Sequence, residues 1–312
     1  MNPIRRKADA REHQSADRTR RLKQLYRYAM VRAVRDQRHR RFALNHIFST
    51  YVTADTLCLA RFDDHEIFID PRDDKIAFTI LSGRPWQRSQ FNRALSAVQR
   101  AGRMRSDGLF VDVGANIGAI TLYALLSGHF RHVLALEPDP YNRAILERNI
   151  AHNGFTDRVT IIPAAASNAM GTMAFYRDDK NFGAHSLEEG FSHGQGKRQD
   201  VPVSRLDGIV QDAGYALDTV GFVKIDVEGH EHAVLDGMPG LLASQPPLML
   251  EVTYQRQSGV RHDEAVFHDP DATLSRLPAS YADCLPLDED MPASVAPLAF
   301  LPYKAQHDLL IF

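Results

Sequence analysis

Phe110-Val111-Asp112-Val113-Gly114-Ala115-Asn116-Ile117-Gly118 is an apolar run that breaks into a glycine-bearing turn. Its first half predicts a strand buried on both faces, because the apolar residues barely alternate with polar ones. Its second half predicts a tight strand-to-helix turn, with a helix over Ala119 to Leu126. Gly114 and Gly118 suit places where a Cβ would clash with a ligand or with neighbouring backbone. In open α/β sheets, ligands sit in the crevice at the carboxyl ends of the strands, where this turn falls.

Working outward, short apolar runs recur at Leu109 to Val113, His132 to Leu136, Val159 to Pro163, Gly221 to Ile225, Leu248 to Val252 and Leu309 to Phe312. Helical stretches such as Pro140 to Asn153 separate the early ones, which predicts a doubly wound, largely parallel α/β sheet over residues 107–312. Ahead of it, 49–106 reads as a small α+β lead-in: a strand at His65 to Ile69, a turn at Asp70 to Asp73 and a helix from Gln87 to Arg103. Residues 1–48 read as a basic helical segment, and Gly190 to Gly196 as a flexible polar insertion.

The second strand ends in Glu137-Pro138, about twenty residues beyond Gly118, a position suited to a ribose diol. Capping of the next helix is the plainer alternative for Glu137. A dinucleotide turn wants G-x-G-x-x-G so that pyrophosphate can meet bare backbone, yet Asn116 stands at the second glycine and the last glycine comes one residue early. Asp112 would repel a pyrophosphate but attract a cationic amine. The pattern therefore points to S-adenosylmethionine, which carries no phosphate, with Ala115 in the same turn. After the third strand, Ala166 would floor an adenine ring and Ser167 would reach its edge, although alanines there also simply pack.

The second focus is Val223-Lys224-Ile225-Asp226-Val227-Glu228-Gly229-His230-Glu231-His232. Lys224, Asp226 and Glu228 share a strand face by period-two alternation. A lysine within an apolar strand needs a partner, either Asp226 or Glu251. Asp226, Glu228 and His230 are candidates for the acid–base and positioning work of methyl transfer. Alternatively, Asp226, Glu228 and Glu251 would hold a divalent cation that acidifies the acceptor. His232 reads as a surface helix residue.

Among these 312 residues there is no apolar run of about twenty, which excludes a helix spanning a membrane. Cys58 and Cys284 alone cannot build a disulfide framework or a zinc cluster, and they fit a reducing cytoplasm. The net charge of −2 hides fourteen Lys/Arg against four Asp/Glu between Arg5 and Arg41. Leu22, Leu25, Tyr26, Met30, Val31 and Val34 recur there at helical spacing, which suggests a packed amphipathic helix. An anionic partner such as nucleic acid is the other reading of that basic face.

Together, the Phe110 to Gly118 turn, Glu137-Pro138, Lys224 to Glu231 and Leu235-Asp236-Gly237 make the chain resemble the FkbM family of S-adenosylmethionine-dependent methyltransferases. Asn181-Phe182-Gly183-Ala184-His185-Ser186-Leu187 is similar to the family's loop with an Asn, a Gly and a hydroxyl residue, and Asp70-Pro71 and Gly83 to Trp86 to its lead-in. The resemblance implies a Rossmann-like class I methyltransferase sheet of seven mostly parallel strands with the last antiparallel, bearing an N-terminal helical and α+β elaboration. It also implies O-methylation of a sugar, glycan or polyketide-like small molecule. Asp112, Gly114, Asn116 and Glu137 then belong to the cofactor site, and Asp226 and Glu228 to its shared edge with the acceptor.

Two other functions compete. RNA or protein methylation would use residues 1–48 to grip the polymer, and would show steeply salt-dependent polynucleotide binding. The Asn/Asp-Pro-Pro-aromatic motif of amino-group methylation is missing, Gln245-Pro246-Pro247-Leu248 being a superficial echo. A non-catalytic cofactor-binding scaffold is the third reading, and the intact acidic cluster argues against it.

Overall fold

A computed structural model describes residues 56–105, 107–189, 197–253, 270–288, 294–298 and 306–312. The expected basic helices of 1–48 and the Gly190 to Gly196 insertion lie outside the described residues. From Leu57 to Phe312 the chain forms one compact unit.

The central sheet contains β3 (Gly108–Val113), β4 (Phe130–Leu136), β5 (Val159–Ile162), β9 (Val220–Ile225), β10 (Leu248–Thr253), β11 (Asp283–Pro286), β12 (Ala296–Pro297) and β13 (Gln306–Ile311). Their spatial order is β12-β11-β13-β10-β9-β3-β4-β5. The strands from β10 to β5 run parallel, and β13 is antiparallel to both β10 and β11. The chain therefore has a Rossmann-like, mostly parallel sheet, with seven main strands and the two-residue β12 at one edge. The order reverses beside β3, which opens the crevice expected at the strand tips.

Every residue of β3 and of β9 is buried, because helices cover both faces. Phe110, Val133, Phe222 and Met249 pack on one side with Phe91, Tyr123 and Leu146. Val111, Leu134, Val223 and Leu250 pack on the other with Leu206, Val210, Val234 and Leu241. Each such side chain withdrawn from water contributes about 1.5–3 kcal/mol.

The first face is covered by α2 (Arg88–Arg100), α3 (Ala119–Leu126) and α4 (Pro140–His152). Helix α4 starts where it does because Asp139 caps it, accepting from the Tyr141 and Asn142 N–H groups, with Pro140 in the first turn. The second face carries α5 (Leu206–Asp212), α6 (Glu231–Asp236) and α7 (Pro239–Ser244). A small sheet of β6 (Ala165–Ser167), β8 (Arg198–Arg205) and β7 (Gly171–Tyr176) follows β5.

The lead-in differs from the separate piece expected over 49–106. Its hairpin of β1 (Cys58–Arg61) and β2 (Glu66–Ile69) and its helix α2 share one core with the sheet. Buried Asn149 of α4 accepts from the Phe68 N–H at 2.6 Å and donates to the Phe68 carbonyl at 3.1 Å and the Ile117 carbonyl at 2.8 Å. A buried amide with its donors and acceptor satisfied this way fastens β2 to the glycine turn. No division therefore falls near residue 106. A further short helix, α1 (Ile76–Leu81), had no expectation behind it. The helix expected over Gln87 to Arg103 runs from Arg88 to Arg100, because Gln87 adopts a left-handed conformation with φ 51°.

Candidate functional site

A cleft of about 990 Å³, counting the space at its open mouth, lies at the carboxyl tips of β3, β4 and β9. Gly114 to Ile117 form one wall, Leu136 to Pro138 a second, and Asp226 to Glu228 a third. At Gly114, φ is 79° and a Cβ would lie 1.9 Å from the Asp226 carbonyl oxygen. The glycine is thus required by the close approach of the β9 tip. Gly118 caps α3 with Leu146 pressed against it, and does not line the cleft.

Glu137 is buried, and its two oxygens accept one backbone N–H each, from Asn116 and from Asp139, both at 2.8 Å. Each oxygen keeps a further lone pair for a diol. Burial pushes its carboxyl up to about 8, against the pull of those two donors. Pro138 lines the cleft beside it, and Ala165, Ala166, Phe175 and Leu187 supply apolar wall.

The loop over 181–188 closes this wall. Asn116 and Asn142 each donate from Nδ2 to the Phe182 carbonyl at 2.9 Å, while buried Asp73 accepts the Phe182 N–H at 2.8 Å. Ser186 donates to the Glu228 carbonyl at 2.6 Å. His185 Nδ1 accepts the Asp178 N–H at 2.9 Å, and burial lowers its pKa to about 4, so the ring is neutral near pH 7.

Lys224 is buried among acids. Its Nζ lies 3.4 Å from Asp226 and 3.5 Å from Asp112, and donates to the Gly114 carbonyl at 2.8 Å. Burial alone would lower its pKa, but Asp226, Asp112 and Glu251 outweigh that and raise it. One carboxylate oxygen each from Asp226, Glu228 and Glu251 lies within 4.8 Å of the others. Burial, then Asp226, pushes Glu228 up to about 8; burial and the same neighbours raise Glu251 well above the ordinary range. Glu228 holds φ 53°, Asn116 φ 51° and Gln87 φ 51°, so three of the five left-handed non-glycine residues among those described line this one cleft. Backbone held in such conformations concentrates at binding and reaction sites.

Besides Gly118, three expected residues stand elsewhere. Asp112 is fully buried behind the wall, accepting the Thr121 hydroxyl at 2.6 Å and facing Lys224 instead of the cleft. Its position in β3 gives it the parity of Phe110, toward the face covered by α2, α3 and α4. Ser167 also stays out of the cleft and bonds His230 Nε2 at 2.9 Å. His230 is buried, with Nδ1 engaged by Glu188 at 2.6 Å, so neither ring nitrogen is offered to the cleft. Conversely, Lys75, Trp86, Gln87, Asn142 and Phe182 line it without having been singled out for it. Lys75, Trp86, Gln87 and Glu251 also border an adjoining open groove, together with Asp288 and Asp308.

Residues 112–278, more than half of the chain, match the family model described as the methyltransferase FkbM domain. The chain belongs to the FkbM methyltransferase family. Among curated relatives, the methyltransferase sdnD of Sordaria araneosa is 28% identical over 160 residues, covering 43% of this chain. The chain spans 61% of that relative's length. Solved structures similar to this FkbM chain include TYW2 of M. jannaschii in complex with AdoMet, 11% identical, covering 83% of this chain and 86% of that one at a TM-score of 0.37. The M. jannaschii tRNA m1G37 methyltransferase is 12% identical, covering 83% and 54%, with a TM-score of 0.36. At these scores the structural likeness carries no weight beside the family match. Among the described residues, no helix is long and apolar enough to cross a membrane.

Proposed function

We propose that this FkbM-family chain transfers a methyl group from S-adenosylmethionine to a hydroxyl of a sugar, glycan or polyketide-like small molecule. The observation that carries it is the pairing of Glu137, ready for a ribose diol, with the acidic wall of Asp226, Glu228 and Glu251 across one cleft. When bound, S-adenosylmethionine supplies an electrophilic methyl group. Glu137 and the Asn116 turn would hold its ribose, and Ala166, Pro138 and Phe175 its adenine. Asp226 offers negative charge to its cationic end, the role first read for Asp112.

Glu228 takes the part of general base. It lines the cleft, and a carboxyl near 8 accepts a proton from a hydroxyl far better than an ordinary carboxylate would. His230, engaged at both nitrogens outside the cleft, does not take that part. Lys224 supplies fixed positive charge beside Asp112 and Asp226, and Glu251 adds to the negative field that keeps it protonated. We therefore read deprotonation as metal-independent. The groove at Trp86 gives an acceptor an apolar ring to lie on, with Gln87 and Asp308 at hand for hydroxyls.

The test is calorimetry with S-adenosylmethionine followed by turnover across hydroxylated sugars, glycans and polyketides, with RNA and protein in parallel. Product from a small hydroxylated acceptor supports the proposal. Product from RNA or protein alone would replace it with the polymer reading. Tight cofactor binding without any product would leave a scaffold.

A further inference from the structure

We propose that Glu188, His230 and His232 form a transition-metal site, of the kind zinc prefers, behind the wall of the cleft. One ligand atom from each lies within 4.8 Å of the other two. His230 Nδ1 and Glu188 Oε1 are already 2.6 Å apart, and the two imidazole rings are 5.6 Å apart between centroids, crossing at 65°. Two imidazoles and one carboxylate are a donor set for zinc and its neighbours, whereas magnesium and calcium prefer oxygen donors alone. Zinc sits about 2.0–2.2 Å from such atoms, so Glu188 and His230 need part only slightly, and His232 close in, to admit one.

The surroundings of His230 are those of a ligand. Ser167 Oγ donates toward Met173 Sδ at 3.8 Å, which leaves the same oxygen to accept the Nε2–H of His230 at 2.9 Å. The 2.6 Å contact of Nδ1 with Glu188 then holds a shared proton, whose place a bound ion would take. A metal-bound imidazole is commonly oriented in this manner, by a hydrogen bond from its other ring N–H. His230 is buried, while Glu188 and His232 are each partly exposed, so the site has an entry path and room for water as a further ligand.

The placement gives a bound ion a mechanical role. Glu188 ends the loop whose Phe182, Gly183, His185 and Leu187 line the cleft, and the two histidines open α6. An ion there would staple that loop to the sheet domain, independently of the acidic wall formed by Asp226, Glu228 and Glu251. The site stands on its own whether or not the methyl-transfer proposal holds.

Equilibrium dialysis of the full chain against zinc, with bound metal measured directly, tests it. Wild-type protein should hold one zinc that Glu188→Ala and His232→Ala each weaken at least tenfold, with thermal unfolding raised by zinc only in the wild type. Both substitutions are at partly exposed positions, which keeps the fold intact for the comparison. Glu251→Gln should bind as the wild type does. No retained zinc, or equal retention in all four proteins, would overturn the proposal. So would a loss confined to Glu251→Gln, which would place the ion in the acidic wall instead.

Discussion

The carboxylate of Glu137, at the tip of β4, accepts a 2.8 Å hydrogen bond from the backbone N–H of Asn116 in the turn after β3. Two adjacent strand tips are thereby tied into one surface, and the acid is held buried at the spot that the proposed function gives to a ribose diol. Such a group is costly to keep charged without a ligand. Burial raises Glu137 to about 8, and burial also raises Glu231, which accepts the Val227 and Gly229 N–H groups, to about 7.

These shifts have a sign. Both carboxyls bind protons more tightly in the folded chain than at the ordinary glutamate value of about 4.3. Their contribution to stability is complete below that value and is lost as pH rises through about 7 and 8. Urea unfolding without ligand should show stability falling between about pH 5 and pH 8. Glu137→Gln should flatten part of that decline; an unchanged slope would show that Glu137 titrates normally.

Lys224 stands at the centre of the acidic wall. Lys224→Met should cost about 3–5 kcal/mol at neutral pH, because Asp112 is then buried beside no cation. Denaturant midpoints measure this. The loss should shrink on acidification, as the stranded carboxylates take up protons.

Gly114→Ala meets a hard obstacle. The new Cβ would stand 1.9 Å from the Asp226 carbonyl oxygen, and alanine is strained at φ 79°. The backbone strain alone costs about 1–2 kcal/mol, and parting β3 from β9 adds to it. A thermal melt should show a drop of several degrees or more, together with weakened cofactor binding. A variant that melts with the wild type would mean that the turn is not packed against Asp226.

Glu228 should govern the pH dependence of turnover. With its carboxyl near 8, the deprotonated, active form grows as pH rises, so kcat/KM should climb to a plateau above about 8. Glu228→Gln should lower turnover by about 10²–10⁴-fold and abolish that limb while cofactor affinity persists. A pH profile unaffected by the substitution would assign deprotonation to another group.

Which features were legible in the sequence depended on whether local or distant residues set them. The parallel strands were legible because β3 and β9 are buried on both faces and so are mostly apolar, as at Phe222-Val223, with Asp112 and Lys224 the charged exceptions. Glu137 was legible because local spacing alone sets it at a strand tip after the glycine turn. The short β11, Asp283 to Pro286, carries too few residues for a period to show. Trp86 and Gln87 were named only as lead-in, because the turn before α2 lines the cleft only once the lead-in packs on the sheet, which long-range bonds such as those of Asn149 help to hold. Asp112 and His230 show the opposite limit. Their chemistry invites a site role, yet strand parity turns Asp112 inward, and Ser167 and Glu188, distant in the chain, claim both nitrogens of His230.

Isothermal calorimetry of S-adenosylmethionine against the full chain and its Glu137→Ala variant tests the proposed cofactor site most directly. One equivalent should bind per chain, with affinity reduced by about 1–3 kcal/mol in the variant through the lost hydrogen bonds and the donors left unsatisfied. No binding by the wild-type chain, or equal affinity in both proteins, would contradict it.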